Sequence, residues 1–192
     1  MGALRSTRTE QYLVEALIEL GEKKSVQKVQ VKELCEAAQV NRTTFYKHYV
    51  DMGAFLEAVI QHFFDRMEEN LDGCSLFEGL LVDDAETTCL RCTEFMNEHR
   101  AFVGLMAGSH GIPEFRRRIL AAWEDACRGT VLRLRPDLGG SVDIDILARM
   151  VVSGMWGLLE FCIDPEVMYH PQYIAKHMYQ VVYVSLLKPL IG

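Results

Sequence analysis

The stretch CEAAQVNRTTFYKHYVDM, Cys35 to Met52, gathers Arg42, Thr43, Tyr46, Lys47 and His48 within seven residues of an otherwise acidic chain. One chemistry uses all of them, contact with a nucleic acid. A guanidinium can pair with a guanine edge, and a threonine methyl can touch the methyl of thymine. Hydroxyl, ammonium and imidazole groups hold phosphate oxygens and fix register. Lys32, ten residues before Arg42, is placed to reach the phosphate backbone as well. The plainer reading is a surface helix that happens to be polar, so the surrounding elements must decide.

Catalysis finds less support. His99, His110, His170 and His177 can be grouped with Glu160 or Asp164, but no His-Glu-x-x-His spacing, glycine-rich phosphate loop or nucleophile elbow accompanies them. A helical enzyme is therefore the weaker alternative, and no catalytic residue or cofactor is expected. Six cysteines are present, and Cys89 and Cys92 have the spacing of a zinc or redox pair. A second pair at ligand spacing is missing, and i,i+3 on a helix is also plain packing, so no metal is expected.

Composition sets the class. The 192 residues are 49% hydrophobic and 24% charged, as in a globular protein with a substantial core. The segment ILARMVVSGMWGLLEFCI carries Arg149 and Glu160, and reads as a buried helix rather than a membrane span. The N-terminal MGALRSTRTEQY lacks the apolar stretch of a secretory signal, so a cytoplasmic location is expected. Residues 1–50 hold eight Lys/Arg against six Asp/Glu, whereas the rest holds twelve against twenty-one. A basic head on an acidic body points to a polyanion partner at the head alone.

The elements that must position these groups are helices. Thr7 to Glu10 forms a capping box for a first helix with Tyr12, Leu13, Ala16, Leu17 and Leu20 at helical spacing, closed by Gly21. VKELCEAA makes a short second helix with Leu34, Ala37 and Ala38 inward. After a tight turn at QVN, Asn41 caps a third helix, RTTFYKHY, and Asp51 caps a long fourth. Two short helices joined by such a turn are a helix-turn-helix: Ala38 lets the helices cross, Val40 plugs the turn, and Phe45 is the inward knob. Arg42, Thr43, Tyr46 and Lys47 are thereby left facing outward. A break is expected around Asp72 to Glu78. Further helices follow at about 84–97, through EHRAFVGLMAG, through EFRRRILAAWEDACRGTVLRL, and at about 143–163 and 171–187. The fold class is all-α with about nine helices.

The run VKELCEAAQVNRTTFYKHYVDMGAFLEAV, and TTFYKHY above all, resembles the signature of the TetR family of one-component bacterial regulators, over about residues 8–60. That resemblance implies a DNA-binding helix-turn-helix domain over residues 1–52 and a ligand-binding and dimerisation domain over residues 53–192. It implies a homodimer that represses a promoter and leaves the DNA when a small ligand binds, with Arg42, Thr43, Thr44, Tyr46, Lys47 and His48 on the recognition helix. Gln39 stands where the family usually has glycine in the turn, and Met52 where a lysine commonly opens the fourth helix.

For the body, Phe63, Met67, Phe95, Phe102, Met106, Trp123, Met155 and Trp156 have core packing as their default explanation and are candidates, as the functional alternative, for an apolar effector cavity between helices. The effector itself is unidentified, and control by a protein partner is the alternative. Asp145, Arg149, Ser153, Trp156 and Glu160 share one stripe of an otherwise apolar helix, which needs cover on most of its circumference. Ser153, Gly154 and Gly157 permit close helix approach, and Ile174, Met178, Val182 and Leu186 line one side of the last helix. Ser153, Gly154, Gly157, Met178, Val182 and Leu186 are thus the expected dimer contacts. The expected partners are double-stranded operator DNA, a second copy and a small effector, with no membrane.

Overall fold

The computed structural model describes residues 8–71, 76–81, 84–140, 143–164, 166–167 and 169–191. Ten helices and no strand occur among the described residues: α1 Arg8–Gly21, α2 Val31–Ala37, α3 Arg42–His48, α4 Met52–Asn70, α5 Leu76–Leu81, α6 Ala85–Glu98, α7 Arg100–Ala107, α8 Pro113–Leu134, α9 Ile144–Ile163 and α10. The last begins as an α-helix at Pro171–Met178, widens to a π-helix over Tyr179–Leu187, and tightens again at Lys188–Ile191.

Four helix starts follow from side-chain caps. The Asn41 side chain accepts from the Thr43 N–H at 2.8 Å, and Asp51 Oδ1 from the Ala54 N–H at 2.8 Å. Asp84 and Asp143 each accept two N–H groups at the starts of α6 and α9. Each cap satisfies donors that the first helical turn leaves unpaired and stabilises by about 1 kcal/mol. Thr7 of the expected capping box lies outside the described residues.

Two compact units are present. The first comprises Met1–Arg66 with Ala101–Arg116, and the second Met67–Arg100 with Arg117–Gly192. Compactness thus changes inside α4 rather than at residue 52, and α7 belongs with the N-terminal segment. The core of the first unit joins Leu13 and Leu17 of α1, Leu34 of α2, Phe45 of α3 and Phe55 of α4, all fully buried. Phe63 meets Phe102 at 5.5 Å and Phe115 at 5.7 Å between ring centroids. Each such aromatic contributes roughly 1.5–3 kcal/mol by leaving water.

In the second unit α6 packs against α5, α9 and α10. The buried side of α9 is Ala148, Val151, Val152, Met155, Trp156, Leu159 and Cys162. That helix is long and apolar enough to cross a membrane by length and composition. Here its buried side is used against α6 and α10.

Several expectations need correction. Tyr12 is exposed and its hydroxyl accepts from Arg8 Nε at 2.8 Å, so the inner stripe of α1 is Leu13, Ala16, Leu17 and Gly21. Gly21 closes α1 as expected, and a Cβ there would fall 2.4 Å from Leu105 Cδ1, so its bare backbone also gives the Leu105 side chain room. In α2 the buried pair is Leu34 and Cys35, whereas Ala37 is exposed. α5 occupies part of the expected break. Its sequence, LFEGLL, is buried at five of six positions and so shows no amphipathic period.

Candidate nucleic-acid interface

The turn between α2 and α3 is a Schellman closure. The Val40 N–H donates to the Cys35 carbonyl at 2.9 Å and the Gln39 N–H to the Glu36 carbonyl at 3.3 Å. Such a closure needs a left-handed residue, and Gln39 takes it with φ 54°, the one non-glycine with positive φ among the described residues. Lacking glycine's freedom, Gln39 costs roughly 1–2 kcal/mol there.

The turn fixes how α3 is presented. Phe45 is fully buried against Phe55 and Tyr49, with centroids 5.8 and 5.4 Å away. Arg42, Thr43, Tyr46, Lys47 and His48 are exposed, Tyr46 with 55% of its surface open, and Thr44 is half-buried. Tyr49 closes the helix from the side. Burial and the adjacent Glu10 carboxylate, to which its hydroxyl donates, push it up to about 12.

Charge is distributed selectively on this head. Lys24 pairs with Glu33 at 2.6 Å, and that contact, with the Gln30 N–H donating to the same carboxylate, holds Glu33 below the ordinary range. Lys32, Arg42 and Lys47 make no ion pair among the described residues and are exposed. Their charges are free to meet phosphate. Lys28, in the 3-10 turn Val26–Lys28, is also exposed and was not among the residues singled out from sequence. Its only signal was its sign.

Residues 83–183 match the family described as "Transcriptional regulator C-terminal region", of TetR type, which is more than half of the chain. This protein belongs to the TetR family of transcriptional regulators. Family and structural neighbours are regulators, not enzymes. The chain is similar to YxbF of Bacillus subtilis (strain 168), named an uncharacterized HTH-type transcriptional regulator, with 22% identity over 170 residues. That match covers 88% of this chain but 43% of the length of that curated relative.

Three solved structures share the fold. The dihydroxyacetone kinase operon activator DhaS aligns at TM-score 0.58 and 14% identity, over 93% of this chain and 96% of that one. A TerR/AcrR-family transcriptional regulator of Aquifex aeolicus VF5 aligns at 0.60 and 14%, over 90% and 96%. The fatty acid degradation regulator FadR of Bacillus halodurans aligns at 0.61 and 13%, over 93% and 96%.

The effector-cavity candidates of this TetR-family chain are all buried and are divided between the two compact units. Phe63, Phe102 and Met106 belong to the first compact unit, and Met67, Phe95, Trp123, Met155 and Trp156 to the second. Trp123 and Trp156 are neighbours, with centroids 6.4 Å apart. Trp156 is 2% exposed, so it leaves the polar stripe of α9 expected from sequence, though its Nε1–H still donates to Glu160 Oε1 at 2.5 Å.

The dimer candidates divide as well. Ser153, Gly154 and Gly157 are exposed, and a Cβ on either glycine would meet nothing within 4 Å. Met178 and Val182 are buried within the subunit, so they cannot contact a second one without unpacking. Leu186 is 39% exposed and Leu187 is buried in its place. The wider π winding adds residues to each turn, which carries the inward position from 186 to 187.

The cysteines serve the core. Burial pushes the thiols of Cys89 and Cys127 up to about 12 and Cys162 to about 11, with Cys92 raised further. Such thiols are protonated at neutral pH and pack as small apolar side chains. Cys74 lies outside the described residues.

Proposed function

We propose that this regulator binds a near-palindromic operator as a homodimer, represses transcription in the cytoplasm, and is released by a small, largely apolar effector. The observation that carries the reading is α3 itself. Its inner side is spent on Phe45, and its outer side holds unpaired Arg42 and Lys47 beside Thr43, Tyr46 and His48. A helix so mounted suits the major groove, with Arg42 and Thr43 reading base edges and Tyr46, Lys47, His48 and Lys32 holding phosphates. Residues 1–52 act as the DNA-binding part and 53–192 as the effector and dimerisation part.

The second copy is supported by α9 and α10. Of eleven exposed large apolar side chains among the described residues, seven lie on these helices or their connection: Ile146, Met150, Phe161, Tyr169, Tyr173, Val181 and Leu186. Ser153, Gly154 and Gly157 open a gap in the same helix into which a helix of the second copy fits closely. A dimer then sets two copies of α3 about 34–36 Å apart, one turn of duplex. An effector that binds better to a differently spaced dimer draws the population away from DNA.

The test is a footprint on DNA flanking the gene, followed by salt-controlled titration of the protected site. The expected result is a symmetric site occupied by two subunits, with affinity lowered by apolar compounds. Protection without symmetry, or binding by a single subunit, overturns the dimeric reading. Affinity unmoved by any small compound favours control by a protein partner.

A further inference from the structure

Among the described residues, the interior of the second unit contains one side-chain polar atom without a partner. Trp123 is 4% exposed, and its Nε1 is buried without a hydrogen-bond partner. An indole N–H can only donate, and buried donors are nearly always paired, so an orphan calls for a physical reason. Its neighbour cannot supply one, because the Trp156 Nε1–H is itself a donor and is engaged with Glu160. Trp123 is also one of the candidates named above for an effector cavity.

The surroundings restrict what can answer it. The buried polar side chains among the described residues are Thr88, Thr93 and Thr130, and no Asp, Glu, Lys, Arg or His is buried there. The Thr93 hydroxyl is turned back onto its own helix, donating to the Cys89 and Leu90 carbonyls. Among the described residues an ionised group brought to Trp123 would find one unpaired buried donor and no fully buried countercharge, an unfavourable place for a charge. A neutral oxygen acceptor on an apolar body has neither difficulty.

We propose that the effector is a neutral, mainly apolar molecule bearing one hydrogen-bond acceptor of the ketone, ester or lactone kind, and that Trp123 Nε1–H donates to that acceptor. The proposal rests on the effector reading given above and narrows it. An acceptor left without its donor, or a donor left without its acceptor, lowers affinity, and this makes Trp123 a device for telling an oxygenated chain from a plain hydrocarbon of equal length.

The experiment uses the full chain labelled with 15N at its two tryptophans, which give two indole resonances, assigned with Trp156→Phe. Linear 2-alkanones and the matching n-alkanes are the probes, with a fatty carboxylate as the charged comparison. The expected result is a downfield shift of the Trp123 indole resonance with ketone alone, and ketone binding at least about tenfold tighter than alkane. In Trp123→Phe that ratio falls to about one. Equal binding of ketone and alkane to both proteins overturns the donor role while leaving the apolar effector in place. Tightest binding of the carboxylate overturns the requirement for neutrality. Failure of every probe to bind overturns the effector reading, and the proposal with it. Should Trp123→Phe not fold, an unmoved Trp123 resonance in ketone-saturated protein is decisive against the idea.

Discussion

His110 and Gly21 are joined across 89 positions of sequence: the imidazole Nδ1 lies 3.0 Å from the Gly21 carbonyl oxygen. A carbonyl only accepts, so this nitrogen carries the proton. The Val26 N–H completes the clasp by donating to the His110 carbonyl at 2.8 Å. The loop after α7 thereby ties to the segment leading into α2, within the unit that presents α3. Gly111 makes the loop possible, since a Cβ there would fall 2.1 Å from the Met106 carbonyl oxygen. Gly111→Ala is expected to destabilise by about 1–3 kcal/mol and His110→Ala by about 0.5–1.5 kcal/mol, read from urea midpoints at constant m. Equal stability of Gly111→Ala and the parent would contradict the clasp.

Gln39→Gly is expected to raise stability by roughly 0.5–1 kcal/mol, the relief of a left-handed side chain less the extra freedom glycine gains when unfolded. Gln39→Ala keeps the strain and should give no increase. A thermal melt of the two variants side by side checks this, and a gain with alanine would show that the turn strain is not the cause.

On α3, Arg42→Ala is expected to erase preference for operator over random duplex, whereas Tyr46→Phe weakens both alike. Met52→Lys adds a cation where α4 begins. If that cation meets phosphate, the slope of log affinity against log salt steepens by about 0.9. Gel-shift titrations at several salt concentrations measure all three effects. Unchanged operator affinity in both Arg42→Ala and Tyr46→Phe would remove α3 from the contact.

Gly154→Glu puts a charge into the open gap on α9. Nothing within the subunit obstructs it, so subunit stability should change by no more than about 0.5 kcal/mol. Sedimentation velocity is expected to show the dimer replaced by monomer. A dimer that persists unchanged places the interface elsewhere.

Tyr49 offers a test by pH. Its folded value, about 12, lies above the ordinary 10, so its contribution is complete below pH 10 and disappears as pH rises through 12. Relative to Tyr49→Phe, the parent should therefore lose stability across that window. Parallel stability curves for the two proteins between pH 10 and 12 would count against the Glu10 contact.

Local features of this fold could be read from single residues. Asn41, Asp51, Asp84 and Asp143 cap helices where capping chemistry places them, and Phe45 is the inward knob of α3. Less accessible was the destination of each apolar surface. Met178 and Val182 have the spacing of an exposed seam, yet the subunit itself covers them, while Ile146 and Met150 remain open. Periodicity defines a face but not what covers it. The shift from Leu186 to Leu187 depends on a change of helical winding, which no residue type announces. Trp123 was visible as an aromatic, but its unpaired nitrogen is a property of neighbours distant in sequence.

The first compact unit is assembled from two lengths of chain, with residues 67–100 intervening. A head excised at residue 66 would leave Phe63 without Phe102 and Phe115, and α1 without the loop that His110 brings to Gly21. Swapping recognition modules between relatives of this regulator therefore requires transplanting 101–116 along with the N-terminal residues. A graft that carries only the contiguous piece is expected to aggregate, because it displays an aromatic surface made to be shared.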